Sequence, residues 1–255
     1  RMEVRPGFCI VTENRKEKKM DKVLHRAATR GYADHGWLDT YHTFSFADYY
    51  DPKRIHFGAL RVLNDDTVAP GEGFGTHPHA NMEIVSIPLS GALRHRDSMG
   101  YVQELRPGGI QVMSAGTGIT HSEFNASDTE PVKFLQIWVL PDARGHRPRY
   151  DQLTLAPAVR NELRLIVAPE GFGNEHVGWI HQRAWFHTLD LDAGRGADYR
   201  LRLFGDGVYL FVLEGCVETA GETLSRRDGL GICGAGELRI DAAADASVLL
   251  IEVPM

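Results

Sequence analysis

Gly75-Thr76-His77-Pro78-His79-Ala80-Asn81-Met82-Glu83 and Gly116-Thr117-Gly118-Ile119-Thr120-His121-Ser122-Glu123-Phe124-Asn125 are the stretches on which the reading of this chain turns. Each holds two metal-ligating side chains two residues apart, His77 with His79 and His121 with Glu123. Successive side chains of a strand point to opposite faces, so this spacing sends both members of a pair to one face. With Glu83 the two stretches hold three histidines and two carboxylates, and strands of this kind build a metal site on the inner wall of a β-barrel. With 12 histidines in 255 residues, an accidental His-x-His is expected roughly once in every two such sequences. The surroundings must therefore carry the argument.

Outward from the two clusters the chain reads as strand after strand. Residues 57 to 63 form an apolar run expected to end in a turn at Asn64-Asp65-Asp66, and the run from Met82 to Leu89 ends at Ser90-Gly91. Ala92 to Arg96, Tyr101 to Leu105, Ile110 to Met113 and Ile119 to Phe124 follow, separated by Pro107-Gly108-Gly109 and Gly116-Thr117-Gly118. Turn signals every eight to twelve residues or so predict an all-β barrel or sandwich, and no long helical period competes. Pro131 to Pro141 is nearly continuous in apolar residues, as in a strand buried on both sides.

Asp142 to Leu153 lacks periodicity and suits a linker, with a domain boundary near Tyr150. The second half echoes the first. Residues 209–215 echo 85–91, residues 227–232 echo 107–112, and residues 249–254 echo 135–141. The expected organisation is an extension over residues 1–19, a metal-binding barrel over 20–150 and a second barrel over 151–255. Aligning Gly215 with Gly91 puts Leu201 and Leu203 where the first half has His77 and His79, so the second barrel is expected to hold no metal.

Composition narrows the partners. Hydrophobic content of 43% and charged content of 24% are those of an ordinary globular protein. A net charge of −6 argues against direct nucleic-acid binding, which needs a concentrated basic face. Cys9, Cys216 and Cys233 show no CxxC or zinc-like spacing, which fits a reducing compartment. No apolar run is long enough to span a bilayer, and the expected location is cytoplasmic.

The spacing Gly71-x5-His77-x-His79-x3-Glu83-x7-Gly91 is similar to the first motif of the cupin superfamily, and Pro107-x-Gly109 leading to His121 and Asn125 to a loosened second motif. Longer patterns narrow the match: Gly36-Trp37-Leu38-Asp39, His42-Thr43-Phe44-Ser45-Phe46, Arg61-Val62-Leu63-Asn64-Asp65-Asp66, Gly73-Phe74-Gly75-Thr76-His77-Pro78-His79, Arg94-His95-Arg96-Asp97-Ser98 and His121-Ser122-Glu123. These resemble the pirin family.

The resemblance implies a bicupin, two jelly-roll-like β-barrels, with one divalent metal in the first. The family's ligands fall on His77, His79, His121 and Glu123, leaving Glu83 a neighbour of the site or a reserve ligand. Iron(II) is the first expectation, and nickel, copper, manganese and zinc suit the same donors. Bacterial members imply quercetin 2,3-dioxygenase activity, in which a flavonol ring is opened by dioxygen with release of carbon monoxide. Other members imply an iron-binding regulator that works through protein partners without turnover. Glu123 is the candidate catalytic base, since its second oxygen can take the flavonol hydroxyl's proton. His42 and His56 are expected to be packed or hydrogen-bonded barrel residues, and Trp37, Phe44, Phe46, Tyr49 and Tyr50 core or pocket wall.

Overall fold

Strand Val132–Val139 shows how a period of two builds this molecule. Val132 and Phe134 pack into one apolar cluster, while Leu135, Ile137 and Val139 belong to another on the opposite face. Both faces are covered, which is why the run carries so few charges. The computed structural model describes residues 20–203 and 205–255, so the expected extension over 1–19 lies outside the described residues.

The chain forms two cupin barrels, each made of a seven-stranded and a four-stranded sheet. In the first, the large sheet runs Arg149–Thr154, Gly109–Ser114, Glu83–Ser90, Val132–Val139, Leu60–Val68, Leu38–His42, Gly31–Asp34. Its small sheet runs Gly73–His79, Ile119–Asn125, Leu93–Asp97, Val102–Leu105. The second barrel repeats this plan. Its large sheet is Asp21–His25, Gly229–Cys233, Asp206–Glu214, Ala246–Pro254, Trp185–Leu191, Leu163–Pro169, Gly178–Ile180, and its small sheet is Gly196–Arg200, Glu237–Ala242, Cys216–Thr219, Glu222–Ser225. The repeat extends to single residues. Gly91 and Gly215 both adopt positive φ, at 75° and 80°. A Cβ at either would meet a carbonyl oxygen, that of Pro131 at 2.9 Å or of Asp245 at 2.0 Å.

The large sheets of the two barrels pack face to face. Val85, Val112 and Ile137 of the first share a core with Phe186, Tyr209 and Ile251 of the second. The edges are interleaved in sequence. Asp21–His25 pairs with Gly229–Cys233 in the second barrel, whereas Arg149–Thr154 pairs with Gly109–Ser114 in the first. The position near Tyr150 expected to divide the chain thus falls within a strand of the first barrel.

The turn expected at Asn64-Asp65-Asp66 is corrected by the structure, because Leu60–Val68 runs straight through it. Each polar side chain there has a place to go. Asp65 accepts from Arg227 Nε at 2.8 Å and Arg30 Nη1 at 3.3 Å, an ion cluster between the barrels. Asp66 accepts from Thr40 Oγ1 at 2.5 Å, and Asn64 and Asp66 both line a cavity in the first barrel. Tertiary partners override the turn propensity of such a triplet. Among the described residues no helix is long and apolar enough to cross a membrane.

Candidate metal centre

Strands Gly73–His79 and Ile119–Asn125 lie side by side and antiparallel, with His121 directly opposite His77 and Ile119 opposite His79. A bulge between His121 and Glu123 then shifts the register, so that Glu123 stands opposite Phe74. Along Ile119–Asn125 the odd-numbered residues Ile119, His121, Glu123 and Asn125 are buried and the even-numbered ones are not, as the two-residue spacing predicts.

The three histidine rings close on one another. Ring centroids are 4.5 Å apart for His77 and His121, 4.9 Å for His79 and His121, and 4.8 Å for His77 and His79. One donor atom from each lies within 4.8 Å of the others. Glu123 sits deeper, in an overlapping group with His121 and His95 that meets the same distance limit. His121 belongs to both groups: His77 and His79 share the first with it, Glu123 and His95 the second.

Burial decides the charge state of two of these imidazoles. Desolvation, reinforced by neighbouring histidines, lowers the pKa of His79 to about 4 and of His121 to about 3. Both are neutral at physiological pH, the form whose lone pair can ligate. Both ring nitrogens of His121 are buried without a hydrogen-bond partner. Two orphaned nitrogens in one buried ring are costly, and an ion on one of them removes half of that cost. The residues therefore fit a divalent metal.

Glu123 is 2% exposed and held at both oxygens. Gln111 Nε2 donates to Oε1 at 2.9 Å and Gln136 Nε2 to Oε2 at 2.8 Å. Each amide is oriented in turn: Tyr150 Oη donates to Gln111 Oε1 at 3.2 Å, and Ser86 Oγ to Gln136 Oε1 at 2.8 Å. This network fixes the carboxylate's direction from the large sheet, across the lumen from the strand that carries it.

A cavity of about 290 Å³ opens beside His77, His79 and Glu123. Its walls are aromatic: Trp37 meets Phe74 edge-on at 5.1 Å, and Phe46 meets Trp138 edge-on at 5.3 Å. His42, Asn64 and Asp66 supply polar groups. Desolvation raises the Asp66 pKa to about 7 despite the hydrogen bond from Thr40. A cleft with apolar walls and a few convergent polar groups is the usual form of a small-molecule site.

Other expectations are redistributed. Glu83 is remote from the histidines: it accepts from Ser114 Oγ at 2.7 Å and from the backbone N–H of His181. It shares the parity of Val85 and Ile87, which turn toward the second barrel, so it cannot reach the lumen. His42 is buried and lines the cavity, while His56 bonds the Gly58 carbonyl at 2.9 Å on the surface. Trp37 and Phe46 are cavity wall, Phe44 is core and Tyr50 is exposed. Sequence reasoning assigned no role to Ser86, His95, Gln111, Gln136 or Tyr150. Parity offered one signal: in Leu93-Arg94-His95-Arg96-Asp97 only His95 and Asp97 share the buried face of Leu93.

The second barrel's lumen is lined differently. Leu189, Leu210, Val217, Leu238 and Ile240 pack its wall; the buried polar groups beside them are His187, whose ring meets Tyr199 edge-on at 5.2 Å, and Glu252, which accepts from Tyr199 Oη at 2.7 Å. Leu201 packs against this cluster and Leu203 against that of Ala168, Val177 and Trp185.

Comparison with known proteins agrees with the architecture. Residues 23–139 match the pirin family model and residues 165–253 match that of the quercetinase C-terminal cupin domain. The quercetin 2,3-dioxygenase of Escherichia coli K12 is 41% identical over 231 residues, spanning 91% of this chain and 98% of that protein. A putative quercetin 2,3-dioxygenase of Pseudomonas aeruginosa is 42% identical over 223 residues, spanning 88% of this chain and 95% of its own length. The crystal structure of the E. coli bacterial pirin YhhW in complex with nickel(II) superposes with a TM-score of 0.86 at 40% identity, covering 92% of this chain and 99% of that one. On barrel pair, motif order and sequence identity together, this chain is a member of the pirin family.

Proposed function

We propose that this pirin is a metal-dependent dioxygenase that opens a flavonol such as quercetin with O2. The observation that carries the reading is the convergence of His77, His79, His121 and Glu123 on a lumen whose cavity is walled by Trp37, Phe46, Phe74 and Trp138. A planar polyphenol suits such walls, and the imidazoles and carboxylate beside them suit a divalent ion. The names of the E. coli and P. aeruginosa relatives support the same substrate class.

In this reading the four side chains hold one ion, iron(II) in first place, with nickel, copper, manganese and zinc served by the same donors. When bound, the ion supplies Lewis acidity that lowers the pKa of a coordinated hydroxyl. The protein does the rest. His77, together with the neutral His79 and His121, supplies lone pairs from a preset array. The aromatic walls orient the flavonol and exclude water. Glu123 takes the 3-hydroxyl proton: a carboxylate has about four lone-pair sites, and the amides of Gln111 and Gln136 occupy two of them. The second barrel, which carries leucines at 201 and 203 in place of a His-x-His pair, serves as structure.

The test is a pair of variants. Glu123→Gln is expected to keep the fold and part of the metal while losing flavonol turnover by roughly two to four orders of magnitude. His121→Ala is expected to lose metal and activity together. A Glu123→Gln protein that binds metal normally and consumes oxygen with quercetin near the wild-type rate removes Glu123 as the base. A fully metallated wild type inert toward every flavonol tried transfers the assignment to a metal-binding regulator acting through a protein partner.

A further inference from the structure

His95 is the most deeply buried histidine near the centre and has no part in the ligand set proposed above. It is 0% exposed on strand Leu93–Asp97, directly opposite Glu123, while its neighbour Asp97 stands opposite His121. Its ring stacks on Tyr150 at 4.2 Å and 16°, and lies 5.4 Å from the His121 ring. Donor atoms of His95, His121 and Glu123 fall within 4.8 Å of one another.

The hydrogen bonds determine where its proton sits. His95 Nε2 is 3.0 Å from Asp97 Oδ2, and Asp97 Oδ1 accepts the backbone N–H groups of Met99 at 2.9 Å and Tyr101 at 3.1 Å. A carboxylate pinned by two amides can only accept from the imidazole, so the neutral ring carries its hydrogen on Nε2. Nδ1 is then a bare lone pair, buried and without a partner. A few ångströms away, His121 has two buried nitrogens that also lack partners. Once one ligates an ion, the other must carry hydrogen and needs an acceptor, and metal-bound histidines are ordinarily held by such a bond.

We propose that His95 is a positioning residue for the metal centre, in which Asp97 fixes the tautomer of His95 and His95 Nδ1 accepts the remaining N–H of His121. The inference rests on His121 being a ligand, as argued above. Asp97, His95 and His121 then form a relay that runs across two strands of the small sheet. Tyr150, from strand Arg149–Thr154, clamps the middle ring by stacking.

The test uses full-length protein stripped of metal and titrated with nickel(II), with the visible spectrum of the cobalt(II)-loaded form as a second readout. Asp97→Asn is the decisive variant. Its Oδ1 stays with the two amides, its Nδ2 donates to His95 Nε2, and the histidine is forced into the tautomer with hydrogen on Nδ1, a donor facing a donor. The nickel dissociation constant is expected to rise roughly 10- to 100-fold in Asp97→Asn and in His95→Phe, the range for a lost partner of a ligating histidine, with a shifted cobalt spectrum. His95→Phe keeps the stack on Tyr150. His95→Asn, which places an amide oxygen near the Nδ1 position, is expected to recover most of the affinity. Asp97→Asn with wild-type nickel affinity and an unchanged cobalt spectrum overturns the inference, whatever His95→Phe does. Unchanged nickel affinity in His121→Ala overturns instead the ligand assignment on which it rests.

Discussion

Glu83 offers a prediction whose size follows from where it sits. Its carboxyl is 1% exposed at the junction of the barrels. Desolvation raises its pKa from 4.5 to about 7, against the opposing pull of Ser114 Oγ, the His181 N–H, Arg149 and His146. The folded protein thus holds a proton more tightly than the unfolded chain. A contribution of this sign is fully present below the unfolded pKa of 4.5 and is lost as pH rises through about 7. At about 1.4 kcal/mol per pH unit the ionised carboxylate costs on the order of 3 kcal/mol at pH 8. Glu83→Gln removes that cost without orphaning its partners, because the amide oxygen accepts from His181 and the amide nitrogen donates to Ser114 Oγ. The variant is expected to lie within about 3 °C of wild type at pH 5 and to unfold roughly 6–12 °C higher at pH 8. The difference between the two proteins is the informative quantity, since Asp66 also titrates upward, to about 7, while buried His25 and His187 are lowered to about 4 and act in the opposite sense. Melting curves followed by near-ultraviolet circular dichroism at both pH values make the comparison. Equal melting temperatures at pH 8, or a Glu83→Gln protein less stable there, would refute the reasoning.

Asp65 partners Arg227 and Arg30, whose side chains are 7% and 6% exposed, so Asp65→Ala takes a shared carboxylate from two buried guanidinium groups and leaves Arg227 with Glu214 at 3.8 Å. It should cost about 3–5 kcal/mol in urea unfolding, whereas a loss under 1 kcal/mol or so would mean that water reaches the interface. Gln136→Leu strips Glu123 Oε2 of its amide donor; nickel affinity measured by calorimetry should fall roughly 10- to 100-fold, and an unchanged value would detach this network from the metal site.

Legibility differed by kind of residue. The ligand strands were readable because parity within one strand is a local property: His121 and Glu123 share a face whatever surrounds them. The repeat was readable because each barrel needs the same turns, and Gly91 and Gly215 mark the same one. Asn64-Asp65-Asp66 misled because its polarity mimics a turn, although it serves an ion cluster and a cavity wall.

Alternation and composition encode an all-β chain of two related halves, and two residue pairs each committed to one face. Tertiary structure alone decided which residues meet across strands and sheets. Glu83 faces the second barrel because it lies an odd number of residues from Ser86, which faces the lumen, and that orientation acquired meaning only when the two large sheets packed together. Gln111 and Gln136 reach Glu123 from strands 12 and 13 residues away, Tyr150 reaches Gln111 from a strand 39 residues later, and His95 stands beside Glu123 from a strand 28 residues earlier. Such contacts are set by strand order and register, which depend on the whole sheet and leave no periodic trace in the stretch that supplies each residue.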